Sequence, residues 1–103
     1  MTYDCMSISP TEHFVPVDDM FCEMMNWAVR YSLGRRTYAA CDTASYVMRL
    51  VPKLDSQTLY GIRNDIQAAI KRDNLGMPCD AVYWRALLAL VVEELERRKE
   101  VKQ

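Results

Sequence analysis

The chain has 103 residues, of which 50% are apolar and 26% are charged. This composition is too apolar for a disordered tail and too poor in glycine and proline for a turn-rich all-β protein. The net charge of −1 does not indicate a protein that binds nucleic acid by bulk charge. We predict one all-α domain over residues 1–103, a compact bundle of about four helices. Residues 1–16, which contain Pro10 and Pro16, are predicted to form an irregular N-terminal arm on a helical body of residues 17–103.

Charge is distributed unevenly along the chain. Residues 1–25 carry a net charge of −5 without a Lys or Arg, whereas residues 26–103 carry +4. Such asymmetry is typical of an acidic segment that meets a basic partner. It is equally compatible with an acidic segment that neutralises the protein's own basic body. The acidic residues concerned are Asp4, Glu12, Asp18, Asp19 and Glu23.

The first helix is predicted over residues 18–33. Asp18 or Asp19 can cap its first turn, and Gly34 can adopt the left-handed conformation that ends a helix. Apolar residues then recur at helical spacing, which predicts one buried face. That predicted face consists of Phe21, Met24, Met25, Ala28 and Tyr31.

Two further helices follow in the central part of the chain. A helix over residues 40–51 is predicted to end at Pro52, because the residue before a proline is pushed out of the helical region. The next helix is predicted to begin after a cap at Asp55 or Ser56. We expect it to close with Gly76 in the left-handed position after its last turn.

The last helix is predicted from residue 81 to about residue 99, with Asp80 as its cap. Its apolar positions form so wide a stripe that we expect the first half to be almost wholly buried. Glu93–Arg97 and Glu94–Arg98 are predicted to form ion pairs along the helix, and the tail after Arg97 is expected to fray. The stripe contains Val82, Leu87, Leu88, Leu90, Val91, Val92 and Leu95.

Signatures of catalysis and of metal binding are absent from the sequence. The only histidine, His13, lies in the predicted arm, where few groups would orient it as a base. The four cysteines are far apart and form no CxxC pair, which disfavours a zinc site. No secretion signal opens the chain, and no apolar run is as long as a membrane span. We predict a soluble intracellular protein that is not an enzyme and binds no metal or cofactor.

Recognition chemistry is concentrated in residues 27–39, WAVRYSLGRRTYA. Arginine forks and aromatic rings can bind a partner protein, phosphates or stacked bases. The same arginines would equally pair with the acidic arm, with the tyrosines packed beneath it. The predicted partner-binding residues are Arg30, Tyr31, Arg35, Arg36 and Tyr38, together with Asp18, Asp19 and Glu23.

A helix-turn-helix interpretation of residues 27–50 is weakened by the residues available for base contacts. The second helix would present residues 41–46, which contain no Arg, Lys, Asn or Gln. These are the side chains that usually contact base edges. The pattern therefore disfavours sequence-specific DNA binding, while other contact with nucleic acid is left open.

Three features of the chain are distinctive in combination: WAVRYSLGRRTYA at residues 27–39, Leu54-Asp55-Ser56, and Asp80-x-x-x-Trp84. Together they resemble small all-helical proteins of tailed phages and prophages, in which an aromatic-Arg-Tyr-Leu-Gly-Arg turn recurs. The resemblance covers residues 20–95 in outline, and only the first stretch is specific. It carries no catalytic or binding residue over to this chain.

The resemblance implies a phage-encoded inhibitor of host defence that acts in the cytoplasm of the infected bacterium. Small phage proteins of this kind include anti-CRISPR proteins, which bind a host Cas effector, so we expect steric blockade of such an effector. Cas effectors have basic channels for nucleic acid, which an acidic segment would fit. Two other hypotheses stay open: a phage nucleic-acid-associated protein, and a homodimeric assembly protein with Met20, Met24 and Met25 at its interface.

Overall fold

The computed structural model describes residues 17–34 and 39–101. These residues form four α-helices joined by short connections and contain no strand, so the all-α prediction is confirmed. The predicted arm of residues 1–16 lies outside the described residues. The helices are α1 (Asp19–Ser32), α2 (Ala39–Leu50), α3 (Ser56–Lys71) and α4 (Pro78–Val101), with a 3₁₀ turn at Val51–Lys53.

Helices α1 and α4 each pack against both α2 and α3. The core between the helices is built from aliphatic side chains and one tryptophan, and its burial supplies the main stabilisation of the fold. Trp84 is the largest of these side chains and anchors α4 to the core. The largest fully buried side chains are Trp84, Leu54, Leu59, Ile62, Ile66, Leu87, Val29, Val47 and Val91.

The start and end of α1, the end of α2 and the start of α3 follow local signals in the sequence. Asp18 caps α1 by accepting a hydrogen bond from the backbone N–H of Phe21 at 2.9 Å. Gly34, with φ of +80°, follows the last turn of that helix. Asp55 caps α3, and Pro52 lies in the 3₁₀ turn that follows α2. These predicted boundaries are confirmed.

The end of α3 differs from the prediction. Asp73, not Gly76, occupies the left-handed position directly after the helix, with φ of 55°. The N–H of Asn74 donates to the Ala69 carbonyl at 2.8 Å, and the N–H of Asp73 donates to the Ile70 carbonyl at 2.9 Å. This pair of bonds is a Schellman motif. Gly76 instead lies in the link to α4, because aspartate tolerates the left-handed conformation well enough to end the helix earlier.

Helix α4 starts earlier than predicted. Its first residue is Pro78, which has no N–H to lose at that position and a φ already suited to a helix. Asp80 is therefore not the cap; it lies inside the first turn and is buried. The prediction of a start at residue 81 is wrong by one turn.

The predicted buried face of α1 is only partly right, since Phe21 and Met25 pack half-buried against the core. Met24 and Tyr31 are exposed, whereas Cys22 and Val29 are the buried residues of the helix. The helix carries apolar residues on two sides, and periodicity alone does not say which side meets the bundle.

The first half of α4 is not wholly buried. Val82 is 66% exposed and Leu90 is 38% exposed, whereas Trp84, Leu87 and Val91 are buried. Among the described residues, α4 packs against α2, α3 and the 3₁₀ turn at Val51–Lys53. The apolar residues of α4 outside these contacts are left on the surface.

A buried carboxylate attaches the C-terminal half of α4 to the rest of the bundle. Glu94 is 8% exposed and accepts hydrogen bonds from Nε of Arg97 at 3.2 Å and from Nε of Arg98 at 2.8 Å. These bonds, that of Arg97 first, lower the pKa of Glu94 to about 2. Arg98 also donates to Ser56 Oγ at 3.0 Å and to the Pro52 carbonyl at 3.2 Å.

This network corrects two expectations for the end of the chain. The helix continues to Val101, so fraying from Arg97 onward is wrong. The predicted Glu94–Arg98 pair is present, but Arg97 pairs with Glu94 and not with Glu93. Both arginines converge on one acceptor because Glu94 lies on the buried side of the helix.

Replacing Glu94 by Gln should lower the free energy of unfolding by about 2 kcal/mol at pH 7, because two arginines lose their charged acceptor. The folded-state pKa lies below the unfolded one, so ionised Glu94 stabilises the fold fully above pH 4.5. That contribution is lost as the pH falls through the interval down to about 2. Urea unfolding at several pH values should therefore show wild type and variant converging in acid.

The matched control is Glu96→Gln, since Glu96 is an exposed neighbour whose contact with Lys99 is 3.9 Å long. This variant should unfold like wild type at every pH. A stability difference for Glu94→Gln that stays constant from neutral to strongly acidic pH would show that ionisation of Glu94 is not what holds the network.

Candidate partner-binding surface

Four large side chains of α1 are exposed on one side of the helix. Met20 is 70% exposed, Met24 56%, Trp27 55% and Tyr31 65%. Their spacing of four, three and four residues places them in a single stripe along the helix. Monomeric proteins rarely leave large contiguous apolar patches in water, and methionine and aromatic residues are enriched where proteins bind one another. We call these four residues, with Glu23, the α1 surface.

A cleft of about 430 Å³ separates the α1 surface from the start of α3. Carboxylates enter it from both helices, Asp19 and Glu23 from α1 and Asp55 from α3, so we call it the acidic cleft. Trp27 forms part of its wall. The complete lining is Asp19, Glu23, Asn26, Trp27, Arg30, Asp55, Gln57 and Thr58.

A shallower hollow of about 420 Å³ lies among the methionines. It is lined by Met20, Glu23, Met24 and Trp27, and we call it the methionine hollow. Glu23 and Trp27 line both depressions and therefore form the ridge between them. One ridge thus presents an apolar depression and an acidic one side by side.

The carboxylates of the acidic cleft differ in what they do within the protein. Asp55 accepts a hydrogen bond from the N–H of Thr58 at 2.7 Å. Hydrogen bonds from Thr58, its side chain first and then its backbone, lower the pKa of Asp55, so this carboxylate is ionised at neutral pH. Asp19 and Glu23 are exposed and take part in no ion pair among residues 17–34 and 39–101.

Arg30 lies at the far end of the cleft and is already engaged. Its Nε is 3.1 Å from Oδ2 of Asp65 on α3, and its guanidinium lies 5.3 Å from the centre of the Trp27 ring. Nδ2 of Asn26 donates to the same Asp65 oxygen at 3.4 Å. A chain of contacts therefore runs from α3 through Arg30 to Trp27, and it orients the exposed indole.

The structure places five of the eight predicted partner-binding residues on or beside α1. Tyr31 and Glu23 belong to the α1 surface, Asp19 lines the acidic cleft, and Asp18 is the helix cap. Arg30 pairs with Asp65, a partner that neither interpretation of the arginines had named. The remaining three, Arg35, Arg36 and Tyr38, lie outside the described residues.

Sequence reasoning left three of the four large residues of this surface out of the predicted partner-binding residues. Met20 and Met24 were named only in the homodimer hypothesis, and Met24 was also predicted to be buried. Trp27 was not assigned to any binding surface, although all three residues are exposed. One signal was available: α1 also carries Cys22 and Val29, a second apolar stripe at helical spacing. Two apolar stripes on one short helix indicate that one of them faces outward. Asp55 and Asp65 belong to α3, and no local pattern in the sequence indicated that they lie beside α1.

Other classes of site are not apparent in the described residues. Within residues 17–34 and 39–101, no three His, Cys, Asp or Glu side chains lie close enough together to hold a metal ion. In the same part of the chain, every helix is too short or too polar to cross a membrane. A comparison of the chain with protein-family models, curated proteins and solved structures finds no match.

The contact between α1 and α3 beneath this surface depends on a glycine. A Cβ atom added to Gly61 on α3 would collide with Oδ1 of Asn26 on α1. Only a residue without a side chain lets Asn26 lie there and donate to Asp65. The position of the α1 surface relative to α3 therefore depends on this crossing.

Gly61→Ala should lower the free energy of unfolding by about 1 kcal/mol, because Asn26 must leave its place and its bond to Asp65. In an Asn26→Ala background the clash is absent, and the same substitution should raise stability by about 0.5–1 kcal/mol through helix propensity. Urea unfolding of the four proteins measures both effects as a double-mutant cycle. Equal changes in the free energy of unfolding on Gly61→Ala in both backgrounds would show that Asn26 is not packed tightly against residue 61.

Proposed function

We propose that this protein is a non-catalytic inhibitor that binds a partner protein through the α1 surface and blocks it sterically. The observation that carries the proposal is the stripe of Met20, Met24, Trp27 and Tyr31, exposed on a helix whose other side is packed in the core. More than half of the surface of each of these side chains is in water in the free protein. A partner that covered this apolar surface would stabilise the complex by removing it from water.

The resemblance to small phage proteins suggests which partner. We propose a phage-encoded inhibitor of host defence of the anti-CRISPR type, with a host Cas effector as its target inside the infected bacterium. Effectors of this kind hold nucleic acid in positively charged channels. The carboxylates of the acidic cleft, next to an apolar stripe, are the chemistry that such a channel would accept.

Binding to nucleic acid receives less support from the described residues. A nucleic-acid site needs cations that are free to contact phosphates. The charge of Arg30 is shared with Asp65, and the groups around the α1 surface are carboxylates. Arg35 and Arg36, the other arginines of that hypothesis, lie outside the described residues.

Self-association is the second candidate, because α4 has an exposed apolar side of its own. Val82, Tyr83 and Leu90 are exposed on that helix, within two to three turns of one another. A homodimer built on α4 would make the protein an assembly module and would leave the α1 surface open. The measurement that distinguishes it is the molar mass in solution by light scattering, for wild type and for Val82→Ala/Tyr83→Ala.

Met24→Ala/Trp27→Ala should abolish capture of the target in a pull-down with purified Cas effectors, tested with and without guide RNA. Truncating two central side chains of a binding surface weakens affinity by at least ~30-fold, about 2 kcal/mol. Both residues are exposed, so circular dichroism should show an unchanged helical fold.

Val82→Ala/Tyr83→Ala on α4 is the control, because it truncates two exposed side chains on a different helix. It should leave capture unchanged. Capture that survives Met24→Ala/Trp27→Ala, or is lost only in the α4 variant, would remove the α1 surface from the proposal. Failure of every effector to bind wild-type protein would remove the target.

A further inference from the structure

We infer that the segment docking on the α1 surface is basic and amphipathic, with a Lys or Arg side chain entering the acidic cleft beside Trp27 while an adjacent apolar side chain covers the methionine hollow. This inference rests on the proposed function, because it specifies the chemistry of the partner at the same surface. It follows from the charges around the surface and from the way the two depressions share one ridge.

Carboxylates dominate the charge around the α1 surface in the described part of the chain. Asp19 and Glu23 are exposed and have no ion-pair partner in the described part of the chain, and Asp55 adds a third carboxylate from α3. Arg30, the one cation among the described residues that line the acidic cleft, is paired with Asp65. A bound segment with its own cation would add a favourable charge interaction with Asp19 and Glu23.

The protein's own N-terminal residues are a poor occupant for this site. Residues 1–16 adjoin the start of α1 and contain Phe14 and Val15, so length and apolar content alone would allow them to fold back. Their charged side chains, however, are Asp4 and Glu12, without a Lys or Arg. Placing them over the acidic cleft would bring like charges together.

A second copy of the chain is a poor occupant for the same reason. In a twofold dimer through the α1 surface, the same carboxylates would face one another across the axis. Arg30 would have to leave Asp65 to compensate them, breaking the contact that orients Trp27. Nucleic acid, with one negative charge per phosphate, is disfavoured more strongly.

The geometry of the ridge sets the arrangement within the bound segment. Glu23 and Trp27 border both depressions, so a cation and an apolar side chain must reach opposite sides of the same ridge. Tryptophan is the aromatic residue that best attracts a cation, and it also offers a large apolar face. Side chains three or four residues apart on a helix meet this requirement, since they lie on one face and are close neighbours.

The test uses the full-length protein, labelled with ¹⁵N, and three designed helical peptides as probes. The first peptide carries Leu and Lys at i, i+3 and i+4 spacing on one face. In the second, Glu replaces every Lys, and in the third, Gln replaces every Leu. We expect the first peptide to shift the amide signals of α1 and to quench the exposed Trp27, and we expect the other two to bind at least ~10-fold more weakly.

Two pairs of substitutions with identical charge changes locate the effect. Asp19→Lys/Glu23→Lys should lower the affinity for the Leu/Lys peptide by at least ~10-fold. Glu93→Lys/Glu96→Lys, on the exposed side of α4, alters the net charge equally and should leave the affinity unchanged. Asp19→Asn/Glu23→Gln keeps the side-chain shapes and should give a loss in the same direction, so a folding defect of the lysine variant would not obscure the result.

The inference is overturned if the Glu peptide binds as well as the Lys peptide, if both α1 pairs leave affinity unchanged, or if no peptide shifts the α1 signals. The proposed function fails separately. Suppose that capture of an effector is lost on substitution of Trp27 and Met24 but is unchanged by substitution of Asp19 and Glu23. Only the inference that the partner segment is basic is then wrong. If capture is also unchanged by substitution of Trp27 and Met24, the proposal that the α1 surface binds the partner is wrong.

Discussion

Gly61 leaves the room that the Asn26 side chain occupies where α1 packs against α3. With Asn26 in this position, the side of α1 that carries Cys22 and Val29 is the side that is buried. Phe21 and Met25 also pack, half-buried, against the core. The four large side chains of the α1 surface lie on the opposite side of the helix, so the contact that builds the core leaves them mostly in water.

The same crossing gives the exposed surface a fixed shape. Asn26 and Arg30 both bond to Oδ2 of Asp65, and Arg30 lies against Trp27, so the orientation of the indole is linked to the core of α1 and α3. A long exposed side chain ordinarily loses rotamer freedom on binding, which weakens affinity. Here part of that ordering is already present in the free protein.

Local chemistry made the helices predictable, and long-range packing made their faces unpredictable. The caps at Asp18 and Asp55, the glycine after α1 and the proline after α2 act within a few residues of the boundary they set. By contrast, α1 and α4 carry more apolar residues than one face holds, and only the neighbouring helices decide which of them are buried. The candidate site shows the same division. Asp19, Glu23 and Tyr31 were assigned to the correct helix from local patterns. The Arg30–Asp65 pair could not be predicted in this way, because its two residues are 35 positions apart in the sequence.

Folding alone does not account for the outward side of α1. Polar residues at positions 20, 24 and 27 would leave the core untouched and would improve solubility, because the present side chains are more than half exposed. An apolar stripe in such a position favours association, and monomeric proteins seldom keep a large one. Asp19 and Glu23 form no ion pair within residues 17–34 and 39–101, so beside the stripe they add like-charge repulsion to the free protein. The partner segment that we propose, apolar and cationic together, would offset both of these effects.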